Sequence, residues 1–173
     1  MNRSNLDSIL KSLQESDDNT TILDDGWSQG RSAFGGISAA FAMTAMRKLL
    51  PDDLTLRSLS VSFIAPVPPG KVLVETKIIR KGKSIIQAEA SLVCNDNICL
   101  RAMAAFGYAR ETYEIPSNKS FKPKPRGSGV KFEDHAKRTP GFLQFFEGEW
   151  VNDGMPFAGK LSRKLELWVR HNI

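Results

Sequence analysis

No hydrophobic run in the 173-residue chain approaches the ~18 residues that a membrane-spanning helix requires. Its opening stretch, MNRSNLDSILKSLQE, scatters polar and charged groups among the leucines and so lacks a signal-peptide core. There are two cysteines, Cys94 and Cys99, too few for a disulfide scaffold, and a reducing cytoplasm is the simpler setting. The two histidines, His135 and His171, stand far from one another, and neither they nor the cysteines are spaced as metal ligands, so no metal site is expected. The apolar share is 41% and the charged share 25%, values of a folded globular chain with room for one ordinary domain rather than two.

Positive charge is in excess by five, but not uniformly. Residues 1–116 hold thirteen basic and thirteen acidic side chains, and residues 139–173 hold four of each. The whole excess falls in 117–138, SNKSFKPKPRGSGVKFEDHAKR, where seven basic residues face Glu133 and Asp134. Rich in Ser, Pro, Gly and Lys, this segment is expected to be a basic linker. A basic linker beside a neutral domain argues against nucleic acid as a partner.

Leu6, Ile9, Leu10 and Leu13 recur at helical spacing, with Ser4 as an N-cap, and predict a short amphipathic helix. Thr20–Leu23 is a short apolar piece of strand type. Gly35-Gly36 then leads into ISAAFAMTAMRKLL, residues 37–50, closed by Pro51, which cannot continue a helix. This helix is apolar on nearly every side until Arg47, and a helix of that kind must be buried all round. Four strand-like runs follow, Leu54–Val67, Lys71–Arg80, Ser84–Cys94 and Ile98–Arg110. Val72, Val74, Thr76 and Ile78 alternate with charged residues, as do Ala88, Ala90, Leu92 and Cys94 with polar ones. Connections of hairpin length make the sheet antiparallel. A long buried helix against such a sheet is an α+β layout.

Four pieces stand out: Phe34-Gly35-Gly36 at the helix start, Leu59-Ser60-Val61-Ser62-Phe63 running into Pro66 and Gly70, Arg80-Lys81-Gly82-Lys83-Ser84, and Ala104-Ala105-Phe106-Gly107. Together they resemble the acyl-CoA thioesterase II branch of the thioesterase-like hotdog proteins. The resemblance covers roughly residues 20–110. It implies a hotdog fold, a long central helix wrapped by a curved antiparallel sheet, an acyl-CoA substrate, no redox cofactor, and pairing into a homo-oligomer. Members of that branch carry two hotdog repeats. Here 142–151 and 161–170 look like the opening strands of the second, so residues 1–116 are read as one repeat and 139–173 as the start of another, an incomplete double hotdog. Such strands, rich in Phe, Leu and Trp, are expected to be buried against the first repeat or a second copy.

Thioester hydrolysis needs a polarised carbonyl, an activated water and a cleft for the acyl and pantetheine chains. Backbone N–H groups at a helix N-terminus supply the first. Gly36 and Ile37 are the expected donors; Gly35, where a missing Cβ permits close approach, Phe34, Ser38 and Trp27 are the expected substrate contacts. The same glycines also serve a tight loop-to-helix turn. In the resembled family the water is held by a carboxylate on the central helix, helped by a hydroxyl and an amide, and those groups belong to the second repeat. Here Ala45-Met46 stand at the helix position, Leu56 and Ala105 near the strand positions, and no carboxylate lies within 36–50. The expected activity is hydrolysis of acyl-CoA; the rival is a non-catalytic acyl-CoA-binding or assembly module. Ser38 lacks the Gly of a nucleophile elbow where Ala40 stands, and Gly82-Lys83-Ser84 lacks the leading P-loop glycine where Lys77 stands, so serine-hydrolase and P-loop chemistry are set aside.

Overall fold

The computed structural model describes residues 5–113, 116, 122, 124–132, 140–151, 159 and 164–172. The chain divides into two compact units, Met1–Glu111 and Thr112–Ile173.

In the first unit, helix α1 spans Leu6–Glu15 and buries Ile9 and Leu13. Its N-cap is Asn5, whose Oδ1 accepts from Ser8 N–H at 2.8 Å, in place of the expected Ser4, which lies outside the described residues. Strand β1, Thr20–Leu23, leads through a turn at Asp25–Trp27 into a two-residue ribbon, β2 Ser28–Gln29 and β3 Ser32–Ala33. Helix α2 runs Gly35–Arg47, and four long strands follow: β4 Thr55–Phe63, β5 Gly70–Lys81, β6 Ile85–Cys94 and β7 Asn97–Gly107. These form one antiparallel sheet in the order β1-β5-β6-β7-β4. This α+β arrangement of one helix against one antiparallel sheet is the hotdog layout.

Helix α2 is three residues shorter at its end than expected. Pro51 disfavours helical geometry at Leu50, and the chain tightens, Leu49 and Leu50 N–H donating to Met46 and Arg47 carbonyls at 3.1 Å each. Arg47 then ties down the turn by donating to Leu54 O at 2.7 Å. Lys48 reaches back to cap α1, its Nζ donating to Ser16 O at 2.5 Å and Leu13 O at 3.2 Å.

The core lies between α2 and one face of the sheet. Val72, Val74, Ile86, Ala88, Ala90, Leu92, Leu100, Ala102, Ala104 and Phe106 recur at every second position along their strands and are all buried. Ala88 pairs with Ala104 and Ala90 with Ala102, so four small side chains adjoin at mid-sheet. Ala42 and Ala45 of α2 are fully buried, and α2 packs on β5, β6 and β7. Small residues on both layers bring the helix axis close to the sheet. The opposite face is polar, with Lys77 bridging Glu89 at 2.7 Å. Ser58, Ser60 and Ser62 pair with Ala105, Met103 and Arg101 on that outer face.

The expectation of a rod enclosed on every side is corrected. Ile37, Ser38, Phe41, Ala42, Ala45 and Met46 are buried, but Ala39, Ala40, Met43 and Thr44 are half-buried and Gly36 is exposed. The sheet reaches the helix through β5, β6 and β7, and β4 is left as an edge with both faces open. The run expected to be strand through Val67 ends at Phe63, where Ile64 and Ala65 N–H both donate to Cys99 O, at 2.9 and 3.0 Å, and three prolines follow.

In the second unit, β9 Phe146–Trp150 pairs with β8 Val130–Lys131 and β10 Leu167–His171. The segment expected to be linker therefore contributes a strand. Phe132 is buried, its N–H donates to Gly148 O at 2.9 Å, and its ring covers Gly148 and stands 4.4 Å from that of Trp150. The first part of the expected strand 142–151 is instead a 3-10 turn, Gly141–Phe145, begun by Pro140, whose carbonyl accepts from Leu143 N–H. Glu147 holds Arg126 at 3.0 Å and Arg170 at 2.6 Å. Lys119 and His135 lie outside the described residues.

Candidate functional site

The front of α2 is built by three short pieces. The β2–β3 ribbon turns at Gly30, whose φ of +68° suits glycine. Phe34 N–H donates to Trp27 O at 2.8 Å and closes that loop. Val67, in the proline-rich stretch after β4, grips the ribbon from the other side: its N–H donates to Ser32 Oγ at 3.0 Å and its carbonyl accepts from Ala33 N–H at 2.7 Å. The three contacts fix where the first turn of α2 begins.

Phe34 is the N-cap residue, and it offers no side-chain acceptor. Its carbonyl accepts from Ile37 N–H at 3.1 Å and Ser38 N–H at 3.3 Å. The amides of Gly35 and Gly36 have no acceptor among the described residues. The open donors of the turn are thus Gly35 and Gly36, whereas the Ile37 amide is already engaged. They sit at the positive end of a thirteen-residue helix.

Aromatic rings frame these two glycines. A Cβ at Gly36 would collide with the ring of Phe34, and one at Gly35 would lie 3.1 Å from Cζ of Phe63. Phe63, the last residue of the Leu59–Phe63 motif, is a member of the site that its position in the sequence does not announce. From Phe63 an apolar stripe runs back along β4. Leu59, Val61 and Phe63 pair with the buried Ala104, Ala102 and Leu100, which places them on the helix side of the sheet. Unlike those partners, Leu59 is 37% exposed and Phe63 63%, while Val61 is half-buried; Leu56 is 44% exposed, and Ile64 beyond the strand 56%.

The remaining expected contacts lie inside. Trp27 is 1% exposed and fills the core below the ribbon. Ser38 is also 1% exposed, its hydroxyl directed at Phe34 O at 3.4 Å along its own helix. Gln29 and Arg31 are exposed on the ribbon. Cys94 and Cys99 are free and buried beside the Asn95-Asp96 turn, where φ values of +48° and +60° match a type I′ hairpin. Burial, and next the neighbouring Cys99 thiol, push Cys94 up to about 12. Among the described residues no three His, Cys, Asp or Glu side chains gather as a metal site, and no helix is long and apolar enough to cross a membrane.

Residues 23–107 match the family model of the acyl-CoA thioesterase N-terminal domain. Among solved structures, a protein of unknown function with a hotdog fold from Alicyclobacillus acidocaldarius superposes with a TM-score of 0.76 at 20% identity, over 88% of this chain and 57% of its own. An acyl-CoA thioesterase II from Mycobacterium marinum superposes with a TM-score of 0.61 at 19% identity, over 81% of this chain and 51% of its own. This chain therefore spans little more than half the length of either. Likeness at such identity speaks for the fold. No curated protein matches the chain significantly. The strand order and the solved structures agree on a hotdog fold, and within it residues 23–107, with the glycine-marked helix front, are similar to the acyl-CoA thioesterase N-terminal domain.

Proposed function

We propose that the chain is one hotdog unit of an enzyme that hydrolyses acyl-CoA thioesters to free acid and coenzyme A. The observation that carries this reading is the pair of unengaged amides at Gly35 and Gly36 beside an open apolar stripe. The acyl chain lies between the half-buried flank of α2 and the inner side of β4, and the thioester oxygen points at the two amides. Water oxygen attacks the carbonyl carbon, the oxyanion is held by the N–H groups, and the C–S bond then breaks to release the thiolate. A base must take the proton of the water and return one to the sulfur. Helix α2 carries no carboxylate from 36 to 50, so this unit supplies the binding and polarising half, and the base comes from outside α2. A second copy paired along β4 would close the acyl cleft, which makes the working form a homo-oligomer.

The absent helix carboxylate equally favours a second reading, an acyl-CoA-binding or assembly module without turnover. One experiment separates the two. The chain is incubated with acyl-CoAs of several lengths and a thiol reagent, and binding is followed in parallel by calorimetry. Release of coenzyme A supports the enzyme, saturable binding without release supports the module, and neither binding nor release defeats both.

A further inference from the structure

The β5–β6 hairpin carries a feature that the thioester site does not use. Every residue from Lys77 through Lys83 is exposed, as is Ile85, so the tip projects with both faces in solvent. Three isoleucines sit on it: Ile78 at 40%, Ile79 at 44% and Ile85 at 47% exposed. Scattered single apolar residues on a surface are ordinary, but here three exposed isoleucines stand within one hairpin tip, Ile78 on the face of Ala88 and Ile85 on the opposite one. Arg80, Lys81 and Lys83 lie between Ile79 and Ile85, and no acidic residue occurs from Thr76 to Ala88. Glu89, the first acid further along β6, is tied to Lys77 at 2.7 Å. The tip is firmly held: Gly82 N–H donates to Ile85 O at 2.9 Å and Ser84 O accepts from Tyr108 N–H at 3.4 Å. The register shifts between Ile78 and Arg80, leaving Ile79 as the extra residue of a bulge.

We propose that this hairpin tip docks on an anionic lipid surface, its isoleucines entering the headgroup boundary and its basic residues meeting lipid phosphates. Charge complementarity selects an anionic partner, and the aliphatic side chains select a bilayer among anionic partners. A nucleic-acid surface of this kind would present aromatic rings for base stacking, and the tip has none from Lys77 to Ile86. A soluble phosphate ligand would give the exposed isoleucines nothing to bury against. Shallow apolar insertion combined with basic residues is the physics of reversible peripheral binding. The inference stands apart from the thioester reading and survives its failure.

The test is sedimentation of the full chain with vesicles of phosphatidylcholine alone and of phosphatidylcholine with phosphatidylserine. Two double variants accompany the parent, Lys81→Glu with Lys83→Glu and Ile79→Ser with Ile85→Ser, each accepted only if its circular dichroism and melting match the parent. The parent is expected to pellet with the phosphatidylserine vesicles and to be released by salt. Each basic residue at an anionic surface raises partitioning about fivefold, so the lysine pair should weaken it by roughly 25-fold or more. The isoleucine pair should weaken it as well, at every salt concentration. A parent that does not pellet overturns the proposal. So does an isoleucine pair that binds as the parent does, or a parent that binds duplex DNA in preference to vesicles.

Discussion

Covering the β4 stripe is the sharpest physical consequence of this fold. Leu56, Leu59 and Phe63, with Ile64 just past the strand's end, are between 37% and 63% exposed, and the strand has one neighbour only. Fully burying a side chain of this kind contributes ~1.5–3 kcal/mol, so covering the exposed half of each contributes ~1 kcal/mol, or ~4 kcal/mol for the four. Lysine at both Leu59 and Phe63 removes about half of that and places two ammonium groups where a partner would desolvate them. Self-association should weaken by at least ~30-fold, the equivalent of ~2 kcal/mol. The folded unit should change far less, because both side chains are already partly in water. Sedimentation equilibrium over a wide concentration range reads the association, and thermal melting of the dilute protein reads the fold. A parent that stays monomeric throughout, or a double variant that associates as tightly as the parent, refutes the reasoning.

Other consequences are smaller in scope. Ala104→Leu puts three extra carbons into the four-alanine patch under α2 and should cost ~1–3 kcal/mol by overpacking, seen as a lower urea midpoint with an unchanged slope. Cys94 is held neutral by burial, and Cys94 and Cys99 are both shielded from solvent, so a thiol reagent at pH 8 should leave both intact in the folded protein and modify both once it is unfolded. Asp18 is held below its ordinary 3.8 first by the Ser16 hydroxyl, at 2.7 Å, and then by Thr20. A depressed carboxyl stabilises the fold above its unfolded value and loses that contribution as pH falls through its folded one. Asp18→Asn should therefore melt below the parent at pH 7, with the gap closing in acid below 3.8.

The long elements were legible because their residues obey one period each. Alternation in β5 and β6 gave the strands and their buried face, and Pro51 gave the helix its end. Burial of α2 was overread: the helix is apolar on all sides, but a single sheet reaches only one side of it, and the sequence of one unit does not say what lies on the other. The helix front was legible as Phe34-Gly35-Gly36, yet which amides stay open depends on the carbonyl of Phe34, which takes the N–H of Ile37 and Ser38. Trp27 and Ser38 adjoin the helix front in sequence, yet the ribbon and the helix turn direct both inward. Phe63 approaches Gly35 from 28 residues away, a contact that no local pattern encodes. Strand β8 was missed because two residues among prolines, glycines and lysines carry no period; only pairing with β9 makes them a strand.

The most direct measurement places a ligand against the two glycines. The chain is labelled with 15N and titrated with a non-hydrolysable thioether analogue of an acyl-CoA, and amide signals are followed residue by residue. Saturable shifts centred on the Gly35 and Gly36 signals, absent with coenzyme A alone and lost in Gly36→Val, are the predicted result. Saturable binding that moves other amides and leaves those two still would contradict the account.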